Sequence, residues 1–135
     1  MLTAYIKAAM KRAKYESFEE NGRLYHYAEI PELPGTYGCA STLQKCEHDL
    51  RSAIADRVAL CTEERIPLPT FDGESVEFSP DQREHYLNKH VFTYDVLTKG
   101  EKVLQVPNLE QVPGALIERI LKSAGITHEE WEGAR

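Results

Sequence analysis

The stretch Leu24-Tyr-His-Tyr-Ala-Glu-Ile-Pro-Glu-Leu-Pro-Gly35 constrains this chain more than any other. From Arg23 to Ile30 it reads as a β-strand. Leu24, His26, Ala28 and Ile30 fall on one face, and Tyr25, Tyr27 and Glu29 on the other. Pro31 has no N–H for a ladder and ends the strand. Leu33-Pro34-Gly35-Thr36 then suits a type II turn, with Pro at the second position and Gly supplying positive φ at the third. The chain must reverse here.

What precedes and follows fits that reversal. Leu2, Ile6, Ala9, Met10 and Ala13 recur at helical spacing, so an amphipathic helix is expected over residues 2–13, with Lys7, Lys11, Arg12 and Lys14 on its solvated face. Tyr15 to Glu19 reads as a strand joined to Arg23–Ile30 through Asn21-Gly22, the strongest short hairpin signal. His26 interrupts an otherwise apolar face and is expected to be partly buried and hydrogen-bonded. Tyr37–Ala40 is a short third strand. A long helix then opens at Ser41, with Gln44 three residues on, or at Thr42. Leu43, Cys46, Leu50, Ile54, Val58 and Cys61 form its apolar stripe, and Glu47, Asp49, Arg51, Asp56, Arg57 and Glu63 occupy the rest. It must end before Pro67.

Charge narrows the partners. Against 16 Lys plus Arg stand 22 Asp plus Glu, a net charge of −6. Such a chain is poorly suited to a phosphate backbone and better suited to a basic protein. Cys39, Cys46 and Cys61 show neither CxxC spacing nor a histidine pair at finger distance. Buried free thiols in a reducing cytoplasm are therefore expected, with no metal and no cofactor. No apolar run reaches the length of a membrane span, and no signal-peptide pattern is present. Gly-rich phosphate loops and nucleophile elbows are absent too.

The string Tyr27-Ala-Glu-Ile-Pro-Glu-Leu-Pro-Gly35, followed by Thr42-Leu43, a long acidic helix and Ile66-Pro-Leu-Pro69, resembles the HicB family of antitoxins. Leu2 to Glu16 and Leu68-Pro-Thr-Phe-Asp-Gly73 resemble its short HicB-like members in particular. The resemblance covers residues 1–73. It implies a partial ribonuclease-H-like fold that is not itself catalytic and that, as a homo-oligomer, neutralises a small basic HicA-type mRNA interferase. Two departures matter. No DNA-binding helix-turn-helix or ribbon-helix-helix follows Gly73, and Ala40-Ser41-Thr42 stands where the family often has Gly-x-Thr.

Residues 74–135 read as a small helix–hairpin–helix unit, an order that resembles double-stranded-RNA-binding modules. Ser79-Pro80-Asp81 starts a helix over 80–88. Val91–Leu97 and Lys102–Val106 form a hairpin across Thr98–Glu101. A helix near Pro113 carries Leu116, Ile117, Ile120, Leu121 and Ala124, with Lys122 in its last turn, and Gly125 stops it. Thr127 to Glu130 is a second capping box, flanked by Ile126 and Trp131 as a hydrophobic staple. Val106-Pro-Asn108 and Pro113 to Trp131 resemble the C-terminal half of HicA toxins, whose catalytic histidine lies upstream in a Gly-Ser-His motif. Here that place reads Asn88-Lys89-His90-Val91, without the glycine and serine. With His85 as its only titratable helper and few basic residues nearby, His90 is expected not to act as a general base.

The expectation is thus an α+β chain in two parts. Residues 1–73 comprise an N-terminal helix and a three-stranded antiparallel sheet packed by a long helix, and 74–135 the smaller unit. An acidic helix surface and a sheet edge would grip a basic partner through Glu29, Glu32, Glu47, Asp49 and Asp56. On this reading residues 74–135 extend the fold or its oligomer interface, or mimic the toxin's packing and occupy that docking surface in cis or between subunits. The other reading is a self-inhibited or degenerate HicA-like ribonuclease fused to its antitoxin domain.

Overall fold

The computed structural model describes residues 2–91, 95–99, 102–106, 121–122, 125–127 and 129, with backbone alone for 95–99 and 102–106. Its elements run α1 (Leu2–Met10), β1 (Lys14–Glu20), β2 (Arg23–Glu29), β3 (Tyr37–Ala40), α2 (Leu43–Glu64), α3 (Pro80–Lys89), β4 (Asp95–Lys99) and β5 (Lys102–Val106). A three-stranded antiparallel sheet in the order β1-β2-β3 carries the first part, and β4 pairs with β5.

Turn chemistry sets the register. Asn21 and Gly22 both have positive φ, 54° and 77°, as a two-residue type I′ turn demands. Glu20 consequently faces Arg23, and the pairing runs without a bulge to Lys14 opposite Glu29. The expected type II turn forms: Gly35 has φ 86°, and the Thr36 N–H donates to the Leu33 carbonyl at 3.1 Å. β3 pairs only with His26–Glu29, so the tip of the hairpin extends past it.

Thr42, the second of the two candidate caps, starts α2 by accepting the Lys45 N–H at 3.2 Å. The helix ends in a left-handed Arg65, φ 58°, and the Ile66 N–H returns to the Cys61 carbonyl at 2.9 Å. Cys46, Leu50, Ile54 and Val58 meet Ala28, Ile30 and Leu33 from the sheet and turn, and Tyr5, Ala8 and Ala9 from α1. The helix backbone comes close to the sheet at Gly38. A Cβ there would lie 2.5 Å from the Cys46 carbonyl oxygen and 2.7 Å from the Leu50 nitrogen. Tyr5, fully buried, donates to the Pro69 carbonyl at 2.8 Å and meets Phe71 edge-on at 5.4 Å. The chain leaving α2 is thereby drawn back along α1 into a turn at Asp72-Gly73, where Phe71 and Glu74 bond to each other.

α3 opens with the expected signals, Pro80 at N1 and a reciprocal capping box between Ser79 and Gln82. None of its residues is fully buried. It is held to α2 by Arg83, which donates to the Thr62 and Glu63 carbonyls, by Tyr86 on the Ala55 carbonyl, and by His90 on Asp56. Val76, Phe78 and Tyr86 pack against the core that residues 1–73 build. Leu121–Lys122 are helical, and Gly125, φ 70°, closes that helix: the Gly125 and Ile126 N–H groups return to Lys122 and Leu121.

Several expectations need correction. α1 ends at Met10, and tightened turns carry the chain to Ala13. Leu43 lies outside the buried stripe, 48% exposed in the first turn of α2. β4 begins at Asp95, whereas Val91 is 83% exposed and belongs to no strand. Asp56 and Arg57 leave the polar face altogether: from Ala53 to Cys61 only Ala55 is not fully buried, because α3 and α1 cover sides of α2 that a single stripe does not reveal. The apolar stripe at Leu116, Ile117, Ile120 and Ala124, the capping partner Glu130 and the staple residue Trp131 lie outside the described residues.

Gly38→Ala should therefore lower stability by about 2 kcal/mol or more, because the clash is with backbone that cannot rotate away. Urea denaturation checks this, and an unchanged midpoint would show that α2 does not rest on β3.

Candidate functional site

The five carboxylates expected to grip a partner occupy separate places. Glu29 lies on the sheet face turned away from α2, where its Oε2 accepts the Tyr27 hydroxyl at 2.8 Å. Glu32 sits in the loop after β2, 3.7 Å from Arg12, which also reaches Asp72 at 3.4 Å. Glu47 and Asp49 are half-buried on the first turns of α2. Burial holds the Asp49 carboxyl above its ordinary range, opposed by His48 and Lys45. Asp56 is 1% exposed and belongs to the interior. It cannot serve as a surface contact.

The sheet itself presents a more coherent feature. On the face away from α2, Phe18 stacks on Tyr25 at 5.6 Å and Tyr27 on Tyr37 at 6.1 Å, with Glu16 and Glu29 opposite and beside them. Tyr27 and Tyr37 are buried there. Toward the α2 side, Ser17 and His26 are paired through Oγ and Nδ1 at 3.1 Å, and Tyr15 and Leu24 are 44% and 48% exposed. β1 is the acidic margin of this sheet, carrying Glu16, Glu19 and Glu20 against Lys14 alone.

Two ionic side chains sit inside α2, back to back. Arg57 donates from Nη1 to the Pro34 carbonyl at 2.8 Å, clamping the Pro34-Gly35 turn onto the helix. Asp56 Oδ1 lies 2.9 Å from His90 Nε2, and the imidazole packs 5.5 Å from the Tyr86 ring. A buried carboxylate on an imidazole orients the ring, as in an acid–base dyad. Here it also fastens the end of α3. Neither role was readable from the sequence: Asp56 and Arg57 look like surface residues until their neighbours Ala53, Ala55 and Ala59 are recognised as the small residues that let other elements approach.

An open groove of about 480 Å³ lies where α2 ends, lined by Cys61, Arg65, Leu68, Val76, Phe78 and Arg83 among others. Arg83 is already engaged there with the carbonyls of Thr62 and Glu63. Among the described residues no group of three or more His, Cys, Asp or Glu could hold a metal ion, and no helix is long and apolar enough to cross a membrane.

The three cysteines are free thiols. Burial pushes Cys39 up to about 11 and Cys46 to about 12, and raises Cys61 against the opposing pull of Arg57. The folded state therefore binds these protons more tightly than the unfolded one, so stability is retained below the ordinary thiol value of 9.0 and lost as pH rises through the folded values. Iodoacetamide should label the native protein slowly at pH 8 and quickly in denaturant, and the melting temperature should fall between about pH 9 and pH 12. Rapid native labelling at pH 8 would contradict this environment.

Comparison with known proteins adds relatives. The family described as UPF0150-like matches residues 4–69, from α1 through the exit of α2. The crystal structure of TTHA0281 from Thermus thermophilus is similar at 30% sequence identity and a TM-score of 0.51, over 58% of this chain and 94% of that one. No curated protein matches the chain.

Proposed function

The chain belongs to the UPF0150-like family through residues 4–69, and from that premise we propose that it is a HicB-like antitoxin-type binding module, built on a partial ribonuclease-H-like fold, that neutralises a small basic mRNA interferase. The observation that carries the reading is the sheet: an acidic margin, Glu16, Glu19 and Glu20, beside the half-buried, stacked Phe18–Tyr25 pair near the hairpin tip. Aromatic area provides contact at low entropic cost, and carboxylates select a cationic partner and speed its approach. Glu32, Glu47 and Asp49 extend the negative field around that sheet, consistent with the net charge of −6.

Co-expression with the small basic protein of a neighbouring reading frame should yield a complex that survives purification and suppresses that protein's cleavage of mRNA. Raising salt from about 0.1 to 0.5 M should weaken it roughly tenfold or more, as expected for a charge-steered interface. Failure to co-purify, with cleavage unabated, would contradict the antitoxin-type reading.

The Asp56–His90 pair favours a second reading, a degenerate ribonuclease with His90 as its base. Its Nε2 is already engaged by a buried carboxylate, so the primary reading expects the full chain and His90→Ala to leave RNA equally intact. Cleavage by the parent chain that is lost in His90→Ala, with the fold unchanged by circular dichroism, would establish the second reading instead.

A further inference from the structure

The outer edge of β1 combines backbone geometry and charge in a way that specifies an occupant. In a two-residue type I′ hairpin the pair flanking the turn is doubly hydrogen-bonded, here Glu20 and Arg23. Counting back by twos, Phe18, Glu16 and Lys14 also bond inward to β2, and the N–H and C=O groups of Tyr15, Ser17 and Glu19 point outward. β1 has β2 as its only neighbour in the described sheet. Its seven residues run without a bulge or proline and are largely exposed. That is a template for one more strand.

Charge decides which strand. Glu16 and Glu20 flank Phe18 on one face, and Glu19 lies on the other. A second copy of β1 would bring another chain of net charge −6 to this edge; even in the antiparallel register that sets Lys14 against Glu20, Glu16 would lie diagonally across from Glu16 and Glu20 of the copy, and like charges across a strand pair are destabilising. Lys or Arg at alternate positions of an incoming strand would instead meet Glu16 and Glu20, with the cation between them over the Phe18 ring and the intervening apolar residues on the opposite face beside Tyr15 and Ser17. We propose that the β1 edge binds an extended, basic segment of the partner protein by strand addition, with the outward groups of Tyr15, Ser17 and Glu19 supplying the ladder and Glu16, Glu19 and Glu20 the selectivity. This rests on the antitoxin-type reading and names the surface that reading requires. Edge carboxylates can also serve only to keep strands apart, and the experiment separates the two roles.

The probe is a labelled acetylated peptide, Lys-Val-Lys-Val-Lys-Val-Lys, titrated against the full chain and followed by fluorescence anisotropy, with the Glu-for-Lys peptide as control. The basic peptide should bind saturably and the acidic one not at all. Ser17→Pro removes an outward N–H that β2 does not use, and should weaken binding about tenfold or more while leaving the fold intact by circular dichroism. Glu16→Lys with Glu20→Lys should do the same, whereas Glu63→Lys with Glu64→Lys, exposed at the far end of α2, should change affinity little. Absence of binding to the parent chain, or equal binding by Ser17→Pro, would overturn strand addition. Should Ser17→Pro misfold, the charge variants decide alone: unchanged affinity in Glu16→Lys with Glu20→Lys overturns the proposal. A co-purified basic partner retained equally by these variants would overturn the edge assignment and leave the antitoxin-type reading standing.

Discussion

The approach of α2 to β3 at Gly38 determines where everything else can go. Backbone rests on backbone there, with no room for even a methyl group. That contact seats Cys46 and Leu50 over the sheet and aligns Ile54 and Val58 above the Ile30–Leu33 reversal and α1. It also leaves the far side of α2 available to α3. Because the helix lies over β3 and the adjoining part of β2, the tip of the β1–β2 hairpin and the β1 edge stay uncovered by it. The exposed acidic margin is thus a consequence of how the core closes.

Two buried ionic groups refine that arrangement. Arg57 holds the carbonyl of Pro34, converting a turn that local chemistry already favours into one tied to the long helix. Asp56 holds His90 and so fixes where the second part of the chain begins to leave α2. Burying charge carries a desolvation cost that apolar packing does not, and both groups satisfy backbone or imidazole partners at points where the chain changes direction. Specificity of path is our hypothesis for their presence. Replacing Arg57 by Met would test it, since a role in path alone predicts a looser turn and not a lost core.

Much of the first part was legible in the sequence because its signals are local. Asn21-Gly22, Pro31, Pro34-Gly35 and Thr42 each act through φ, a missing donor or a cap, and each acts where it was expected. Ser79-Pro80 and Gly125 were legible for the same reason. The misreadings share a different cause. Leu43 fits the stripe by spacing, but it lies in the first turn of α2, where no neighbour covers it. Asp56 and Arg57 look exposed because periodicity reports one packing partner and α2 has several. Val91 is β-branched and apolar and so reads as the start of β4, whereas the residue is exposed and outside any strand, just after α3. The candidate site was half legible. Carboxylates could be counted, but their sorting into a sheet face, a loop, a helix and the interior required coordinates.

The proposed site is the β1 edge of one small sheet, with acidic side chains around the half-buried Phe18–Tyr25 pair. Hydrogen exchange by mass spectrometry, comparing the free chain with the chain saturated by the small basic protein, addresses it most directly. Outward-pointing amides of an edge strand exchange readily when unpaired and slow when a strand is added. Slowing centred on Lys14–Glu20, with the interior of α2 unchanged, is the result this account predicts. A stable complex in which β1 exchanges as fast as in the free chain would contradict it.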